Sequence, residues 1–338
     1  MRQDVECPYC SSKLIVKAGL RKLKRQVVQK FKCNSYLRYF TARKIKKAEY
    51  PERIILSSIS TYNLGYTLEQ TQKQIAKRFK LKVPLSTIHS WIKEYASICT
   101  FTRLRKNVLK LFSQDSIIFS QKLQHNQIYD FQLHRAKLWL QAKELPEQKF
   151  QSLRKYLETI PTNEFPHHIF RIPDEELEKR ASQLKANLLK VSKLQKQNLA
   201  NKLAELGLIL TKTNKERHQA IQNFMLINDS VTIACEVPVY LTRNDIAYFK
   251  RTGFTFDIEN YKTPITGHID VLQIRNGLIH ILDYKPNASK VNAITQLTIY
   301  ALALSSRTKL LLKDFKCAWF DEKSYFEFNP LHAVYRKF

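Results

Sequence analysis

The sequence predicts an α+β multidomain protein in which small N-terminal modules precede a helical middle region and a C-terminal α/β core. Three features predict this: Cys7, Cys10 and Cys33 flank a basic stretch, helical apolar spacing begins after Pro51, and β-branched runs alternate with helical patterns from Lys215 onward. The 338 residues provide enough chain for more than one hydrophobic core. We therefore expect four segments, which are residues 1–48, 49–98, 99–207 and 208–338.

The first module carries one complete cysteine knuckle and half of a second. Cys7 and Cys10 form a C-x2-C pair, but Tyr36 stands where the partner of Cys33 would follow in a second pair. The segment resembles the zinc ribbons at the start of insertion-sequence transposases and of some archaeal regulators. That resemblance implies Zn²⁺ held by Cys7, Cys10 and Cys33. A structural zinc site takes four ligands, so this donor set is incomplete.

The incomplete donor set leaves two interpretations open. In the first, three thiolates bind zinc and a water or the carboxylate of Asp4 or Glu6 completes the site. In the second, the ribbon holds no metal and keeps its β-fold through Tyr36, Tyr39 and Phe40. The two interpretations differ in the zinc content that they predict.

Three short helices are predicted between residues 51 and 98. Pro51 suits a first helical position, a second helix runs from Thr67 to Phe79, and Ser86 or Thr87 caps a third. Three short helices with a tight turn before the last resemble a helix-turn-helix domain, although the same pattern suits any small bundle. The resemblance implies that the exposed side of the third helix contacts DNA through Ser86, Thr87, His89, Ser90 and Lys93.

The positive charge of the chain is large and unevenly distributed. The formal net charge is +28, from 57 Lys and Arg against 29 Asp and Glu. Residues 1–100 hold 21 basic and 6 acidic residues (net +15), whereas residues 219–338 hold 14 and 11 (net +3). Such an excess is typical of a protein that binds nucleic acid. We expect DNA as the partner, with Arg21 and Lys22 among the contacts.

The middle region is predicted to be mainly helical. A basic helix is expected over residues 133–140, a linker between Pro161 and Pro173, and a long helix from Asp174 to Gly207. Leucines near heptad spacing in the long helix indicate either packing on the following core or a coiled-coil element. The second interpretation leads to an expected homodimer.

The cellular location is predicted from the absence of membrane-spanning and secretory patterns in the sequence. It has no apolar run long enough to span a bilayer, and its N-terminus is too polar for a secretory signal. The six cysteines show no disulfide framework, which is typical of a reducing compartment. We expect a cytoplasmic protein with no membrane partner.

Two acidic strands joined by a tight turn are the most informative feature of the C-terminal core. Asp270 lies in the run before Asn276-Gly277, a typical hairpin turn, and the run after it carries Asp283 and Lys285. Residues two apart in a strand share a face, so Asp283 and Lys285 point the same way and Asp270 lies across from them. Clustered carboxylates attract a divalent cation, and a lysine can orient a water or stabilise charge on a phosphate.

These residues match the motif of the PD-(D/E)XK nuclease superfamily. Gln296, four residues before Tyr300 on the next predicted helix, matches the signature of its RecB-like branch. The resemblance covers roughly residues 215–328. It implies a restriction-endonuclease-like α/β core that hydrolyses phosphodiester bonds with Mg²⁺ or Mn²⁺.

The resemblance also implies a role for each site residue. Asp270, Asp283 and His218 are the expected metal ligands, and Lys285 is the expected catalytic base or water-orienting group. The expected supporting catalytic residues are Glu236, Gln296 and Tyr300. Each has an ordinary alternative: His218 as a core residue, Glu236 in a structural salt bridge, and Gln296 with Tyr300 in helix packing.

The sequence as a whole predicts a divalent-metal-dependent DNA nuclease that is targeted by an N-terminal DNA-binding module. The first alternative is a DNA-binding regulator or mobile-element protein whose nuclease domain is decayed or auxiliary. The second alternative is an RNA-processing enzyme, which the helix-turn-helix pattern disfavours.

Overall fold

The computed structural model describes residues 5–23, 26–41, 49–125, 127–144, 150–160, 179–211, 213, 216–258 and 264–336. It contains two compact units. The first comprises Met1–Tyr62 and Thr67–Lys93, and the second comprises Asn63–Tyr66 and Glu94–Phe338. No helix in these described ranges has the length and apolar character that crossing a membrane requires.

The first unit begins with a three-stranded antiparallel sheet. Its strands are β1 (Ile15–Leu23), β2 (Gln26–Cys33) and β3 (Tyr39–Thr41), in that order across the sheet. Phe40 is buried with Cys7 and Cys33, and Val5, Ile15 and Phe31 pack against them. Tyr36 and Tyr39 are instead exposed, so the expectation that these two tyrosines hold the ribbon together is wrong. Of Tyr36, Tyr39 and Phe40, only Phe40 packs in the core of this sheet.

Three helices follow in the first unit. They are α1 (Glu52–Asn63), α2 (Leu68–Phe79) and α3 (Leu85–Glu94). Thr67 caps α2 as predicted, in a capping box with Gln70. The predicted cap of α3 at Ser86 or Thr87 is wrong, because the amides of Thr87 and Ile88 already bond to the Pro84 carbonyl. The helix therefore starts at Leu85, two or three residues earlier than predicted.

The apolar faces of these helices form the core of the bundle. Ile55, Ile59, Ile75 and Ile88 are almost completely buried, as the helical spacing predicts. Trp91 is also buried and packs edge-on against Tyr50, with ring centroids 5.2 Å apart. Trp91 is thus a core residue, as expected.

A mixed nine-stranded sheet organises the second unit. Its path is β4-β5-β9-β11-β12-β13-β14-β8, and β6 pairs with β11 off this path. The β12–β13 and β6–β11 pairs are parallel and the other pairs are antiparallel. A separate two-stranded pair joins β7 to β10. The strands are β4 (Ile118–His125), β5 (Gln127–His134), β6 (Lys179–Arg180), β7 (Ala186–Asn187), β8 (Leu194–Lys196), β9 (Thr232–Leu241), β10 (Asp257–Ile258), β11 (Ile265–Arg275), β12 (Leu278–Tyr284), β13 (Phe315–Phe320) and β14 (Tyr325–Phe328).

Helices cover this sheet and close its core. α7 packs on α8, which lies against β9 and β11, while α10 packs against β9, β12 and β13. The buried apolar residues of β9, β11, β12 and α10 belong to one cluster. The helices of this unit are α4 (Arg105–Val108), α5 (Arg135–Glu144), α6 (Gln151–Thr159), α7 (Leu199–Ile209), α8 (Arg217–Asn228), α9 (Arg243–Arg251), α10 (Ile294–Thr308) and α11 (Pro330–Val334).

The prediction of a mainly helical middle region is wrong in two places. Residues 118–134 form the β4–β5 hairpin, which joins the large sheet through β5 and β9. The long helix predicted from Asp174 to Gly207 is also absent from its described part, because residues 179–196 supply β6, β7 and β8 and only α7 is helical. The leucines that suggested heptad spacing pack individually, Leu184 and Leu188 on the core and Leu203 within α7.

The homodimer was expected from the coiled-coil interpretation of that long helix. Because the described residues do not form the helix, the structure does not support a homodimer. The predicted linker between Pro161 and Pro173 lies outside the described residues. The predicted basic helix over 133–140 begins instead at Arg135, where β5 ends. Its Lys137 is fully buried and lies 3.6 Å from Asp229, so it is a core ion pair rather than a surface charge.

Candidate active site

The β11–β12 hairpin positions the acidic residues. The strands pair from Arg275↔Leu278 to Val271↔Leu282, which confirms the predicted turn. Asn276 and Gly277 have φ angles of 53° and 68°, the left-handed values that a two-residue turn of this kind requires. Asp270 and Asp283 lie at the open end of the hairpin, each one residue beyond the last pair, Val271↔Leu282. The sequence predicts this proximity.

Asp283 and Lys285 form the most buried ion pair of the site. Asp283 is 2% exposed, and its Oδ2 lies 2.9 Å from Lys285 Nζ. Burial, and then the neighbouring charge of Asp270, raises the pKa of Asp283 well above its ordinary value. Burial opposes the charged form of Lys285, but Asp283 outweighs it and the lysine pKa is raised. Lys285 therefore carries a proton at neutral pH.

Asp270 is held by groups from two other positions. Its Oδ2 accepts the Tyr284 amide at 3.1 Å and lies 3.5 Å from His218 Nδ1 on α8. Burial works to raise the pKa of Asp270, but hydrogen bonds to His218 and Asp283 outweigh it and the pKa is lowered. The pKa values of the two aspartates are thus shifted in opposite directions, upward for Asp283 and downward for Asp270. His218 faces the site, as the resemblance implies, and its side chain remains 45% exposed.

Glu236 reaches the site through an unusual backbone conformation. It lies in the interior of β9, between the pairs Cys235↔Val271 and Val237↔Ile269, with φ of 50°. Its Oε1 accepts a 2.6 Å hydrogen bond from Gln222 Nε2 on α8. Burial, and next the charge of Asp270, raises the pKa of Glu236 to about 8. No salt bridge to Glu236 occurs among the described residues, so the structural-pair alternative lacks support.

Gln296 and Tyr300 lie on one face of α10, as predicted. Gln296 Nε2 donates a 3.0 Å hydrogen bond to the Tyr300 hydroxyl. The Tyr300 ring lies directly over Gly267 of β11, where a Cβ would overlap ring atom Cε1. Glycine at 267 therefore allows α10 to bring this pair close to the acidic strand.

A cavity of about 250 Å³ is lined by most of the side chains described above. A second cavity of about 480 Å³ shares Ser182 and Gln296 with it. The first is lined by Tyr129, Arg180, Ser182, His218, Glu236, Thr266, Gly267, His268, Asp270, Lys285, Gln296 and Tyr300.

Several residues of this cavity were not anticipated from the sequence. Arg180 follows Lys179 in β6 and Tyr129 lies in β5, two segments predicted as helix or left unassigned. The Arg180 guanidinium carbon lies 6.0 Å from the Tyr129 ring centroid, and that ring packs on His268. An arginine at the edge of an acidic cavity suits a phosphate. No local pattern could have found it, because only the β6–β11 pairing brings it there.

The donor set of this cavity fits a hard divalent cation. Carboxylate oxygens are the ligands that Mg²⁺ and Mn²⁺ prefer, and Asp270 and Asp283 offer them side by side with the His218 imidazole near Asp270. Burial, and then the charge of Asp270, raises the pKa values of Asp283 and Glu236, so part of each shift comes from carboxyl repulsion. A bound cation would offset that repulsion.

The cysteines form a separate donor cluster in the first unit. In the described part of the chain, Cys7, Cys10 and Cys33 are the one group of three or more donors whose ligand atoms all lie within 4.8 Å of one another. The Tyr36 amide donates to Cys33 Sγ at 3.3 Å, so residue 36 lies beside the cluster but provides no side-chain donor. Thiolates suit a soft ion such as Zn²⁺, and three of four ligands are present.

The residues predicted to contact DNA are accessible. Ser86, His89, Ser90 and Lys93 of α3 are exposed, and Thr87 is partly buried. In β1, Arg21 and Lys22 are exposed as well. The buried residues of α3 occupy the other side of the helix, so the predicted division between its faces is correct.

The mixed sheet, the acidic hairpin and the D-x-K pair together are consistent with the restriction-endonuclease-like fold class. A model of the PD-(D/E)XK nuclease superfamily matches residues 133–329, more than half of the chain. The chain therefore belongs to the PD-(D/E)XK nuclease superfamily. The match begins upstream of residue 208, so the superfamily domain includes part of the segment predicted as a helical linker. Neither the curated proteins nor the solved structures provide a significant match.

Proposed function

We propose that the protein is a divalent-metal-dependent DNA nuclease of the RecB-like branch. The observation that carries the proposal is the clustering of Asp270 and Lys285 around the buried Asp283 in a chain of this superfamily. The Gln296–Tyr300 hydrogen bond and the position of His218 beside Asp270 support the assignment to the branch. The high positive charge suits a polyanionic substrate.

Each side chain has a part in the proposed reaction. Asp270 and Asp283, with His218, would hold a divalent cation, which when bound supplies neutralisation of phosphate charge and a more acidic water. Lys285 is protonated in its ion pair with Asp283, which favours orienting the water and stabilising phosphate charge over acting as a base. Glu236, whose pKa is raised by burial and then by the charge of Asp270, supports the site, and Gln296 with Tyr300 forms part of the cavity wall.

The first unit would hold the DNA. Its basic sheet and the exposed side of α3 offer Arg21, Lys22, His89 and Lys93 to phosphates or base edges. Zn²⁺ bound by Cys7, Cys10 and Cys33 would stabilise the sheet. Sequence targeting by this unit is part of the proposal.

The alternative of a decayed nuclease predicts that at least one essential group is missing or misplaced. Asp270 and Lys285 instead line one cavity, and Asp283 lies 2.9 Å from Lys285, which argues against decay. The RNA-processing alternative has no separate observation in its favour.

Cleavage of supercoiled plasmid and of end-labelled linear duplex, with Mg²⁺, Mn²⁺ or EDTA, tests the proposal. We expect cleavage with either metal ion and none with EDTA. Nicked or linear plasmid would identify an endonuclease, whereas loss of end label alone would identify an exonuclease. Metal-independent cleavage, or none on single-stranded and duplex DNA with either ion, would overturn the proposal.

A further inference from the structure

The three-stranded sheet of the first unit exposes aromatic rings that its core does not use. Tyr9, Tyr36 and Tyr39 are 53%, 45% and 53% exposed. The core of this sheet is formed instead by Phe40 and the two buried cysteines, with Phe31 packed against them. Three tyrosines in one small module are therefore available for another molecule.

The rings are arranged for stacking. Tyr9 and Tyr36 lie nearly parallel, with centroids 5.5 Å apart and planes 20° apart. Arg38 extends over both rings, its guanidinium carbon 5.8 Å from the Tyr9 centroid and 5.3 Å from the Tyr36 centroid. Arg38 also stacks readily on bases, so the cluster presents flat faces of two kinds.

A second cluster adjoins the first along the chain. Lys30 Nζ lies 4.1 Å and Lys32 Nζ 5.9 Å from the Tyr39 ring centroid. Lys32 pairs with Tyr39 across β2 and β3, which holds the ring among the ammonium groups. Because Tyr39 follows Arg38 directly, the clusters are about one residue apart, roughly 4 Å between Cα atoms.

The charge around the rings selects an anionic partner. The described part of this module, residues 5–23 and 26–41, contains seven Lys and Arg residues and one acidic residue, Glu6. Aromatic faces between basic side chains are the recurring arrangement for unpaired nucleic acid, because bases stack on the rings while the cations follow the phosphates. In a duplex, the bases stack on each other and expose only their edges.

We propose that Tyr9, Tyr36, Arg38 and Tyr39, with Lys30 and Lys32, form a stacking surface that binds single-stranded DNA without sequence preference. The inference rests on the proposed function in taking DNA as the polymer, and it adds that the module engages unpaired bases. An unpaired end or displaced strand is the form of DNA that this surface recognises.

Two labelled oligomers separate stacking from charge. Binding of the full chain is measured by fluorescence anisotropy, without chelator and without added Mg²⁺ or Mn²⁺ so that no cleavage occurs, to an oligothymidylate of roughly 16 nucleotides and to an abasic oligomer of the same length and charge. We expect the oligothymidylate to bind at least about tenfold more tightly. Equal affinity for the two oligomers would overturn the proposal.

Single substitutions locate the surface. Tyr39→Ala and Tyr36→Ala should each weaken oligothymidylate binding about tenfold and leave abasic binding nearly unchanged, whereas Tyr39→Phe should bind like the wild type. Tyr39→Ala is the decisive variant if Tyr36→Ala disturbs the nearby cysteines. Tyr248→Ala, which removes a tyrosine that is 56% exposed on α9, is the matched control. A Tyr39→Ala protein that keeps its melting temperature and its full preference for bases would contradict the assignment.

The outcome is independent of the proposed nuclease activity. Binding without added Mg²⁺ or Mn²⁺ requires no cleavage, so a failed cleavage assay leaves the stacking result intact. Conversely, plasmid cleavage by a Tyr39→Ala protein that has lost its base preference would support both assignments.

Discussion

Glu236 occupies a left-handed backbone conformation in the interior of β9. For a residue other than glycine this costs about 1–2 kcal/mol, and strain of this kind collects at functional sites. Cys235 and Glu236 are consecutive, yet both contact Gln222 of α8. The conformation therefore breaks the strand alternation and turns the carboxyl group toward Asp270.

Because of this strain, we expect the usual order of stability of alanine and glycine in a strand to be reversed at position 236. In an ordinary strand, glycine is less stable than alanine by roughly 0.5–1 kcal/mol. At position 236 we expect Glu236→Gly to be more stable than Glu236→Ala, by about 1 kcal/mol. Urea unfolding of the two variants without added metal measures the difference. The opposite order would mean that φ at 236 is negative in solution.

His280 provides a test of burial at the residue scale. Burial, and then the Arg275 guanidinium at 2.9 Å from Nδ1, lowers its pKa to about 3. The folded state therefore favours the neutral ring. Its contribution to stability is complete above the ordinary pKa of 6.5 and is lost as pH falls from 6.5 toward 3.

His280→Gln should remove this pH dependence. Between pH 6.5 and 4.5, the unfolding free energy of the variant should fall by about 1.4 kcal/mol less per pH unit than that of the wild type. Urea titrations at several pH values measure it, and His332→Gln, at an exposed histidine, is the control. Parallel curves for wild type and His280→Gln would show that His280 is accessible to protons when folded.

At the scale of elements, local patterns predicted the acidic hairpin well. Asn276-Gly277 identifies the turn between β11 and β12. The two aspartates and Lys285 follow from this register alone. The conformation of Glu236 could not be predicted, because φ at one residue depends on the contacts of Gln222 and β11 around it.

The middle region shows where local patterns are insufficient. Residues 179–196 carry leucines at helical spacing, but their backbone groups are satisfied by β11, β10 and β14. Helix propensity is a weak preference that such pairing overrides. Arg180 and Ser182 therefore reach the cavity through long-range pairing, which a single sequence does not reveal.

The cysteine module yields a prediction about metal. With three thiolates and no fourth side-chain donor in that group among the described residues, the wild type should contain well under one zinc ion per chain after purification without chelator. Tyr36→Cys should raise the zinc content toward one and raise the melting temperature, because metal binding is coupled to folding. Elemental analysis and thermal melting measure both. Full zinc occupancy in the wild type, abolished by Cys33→Ser, would mean that water or a carboxylate completes the site.

At the scale of the whole molecule, charge and chemistry are separated along the chain. Residues 1–100 have a net charge of +15, whereas the acidic cavity lies in the second unit. This separation was predictable from composition, because charge counts do not depend on the fold. It implies that the affinity for DNA and the rate of cleavage depend on different residues.

The salt dependence of binding tests which residues determine the affinity for DNA. Each phosphate contact contributes about 0.9 to the slope of log K against log salt concentration. Arg21→Gln/Lys22→Gln should therefore make the slope for duplex DNA shallower by about 2. Lys309→Gln/Lys313→Gln removes the same charge from exposed positions in the second unit and should change it little. Equal effects of the two pairs would relocate the DNA-holding surface.

Cleavage by Asp283→Asn, compared with its matched control Asp257→Asn, tests the central claim most directly. Asp283 is 2% exposed beside Lys285, whereas the Asp257 side chain is 70% exposed and pairs only with Lys250 among the described residues. With Mg²⁺, Asp283→Asn should cleave at least about a hundredfold more slowly than the wild type. It should still bind DNA normally, and Asp257→Asn should retain full activity. Cleavage by Asp283→Asn at the wild-type rate would contradict the assigned active site.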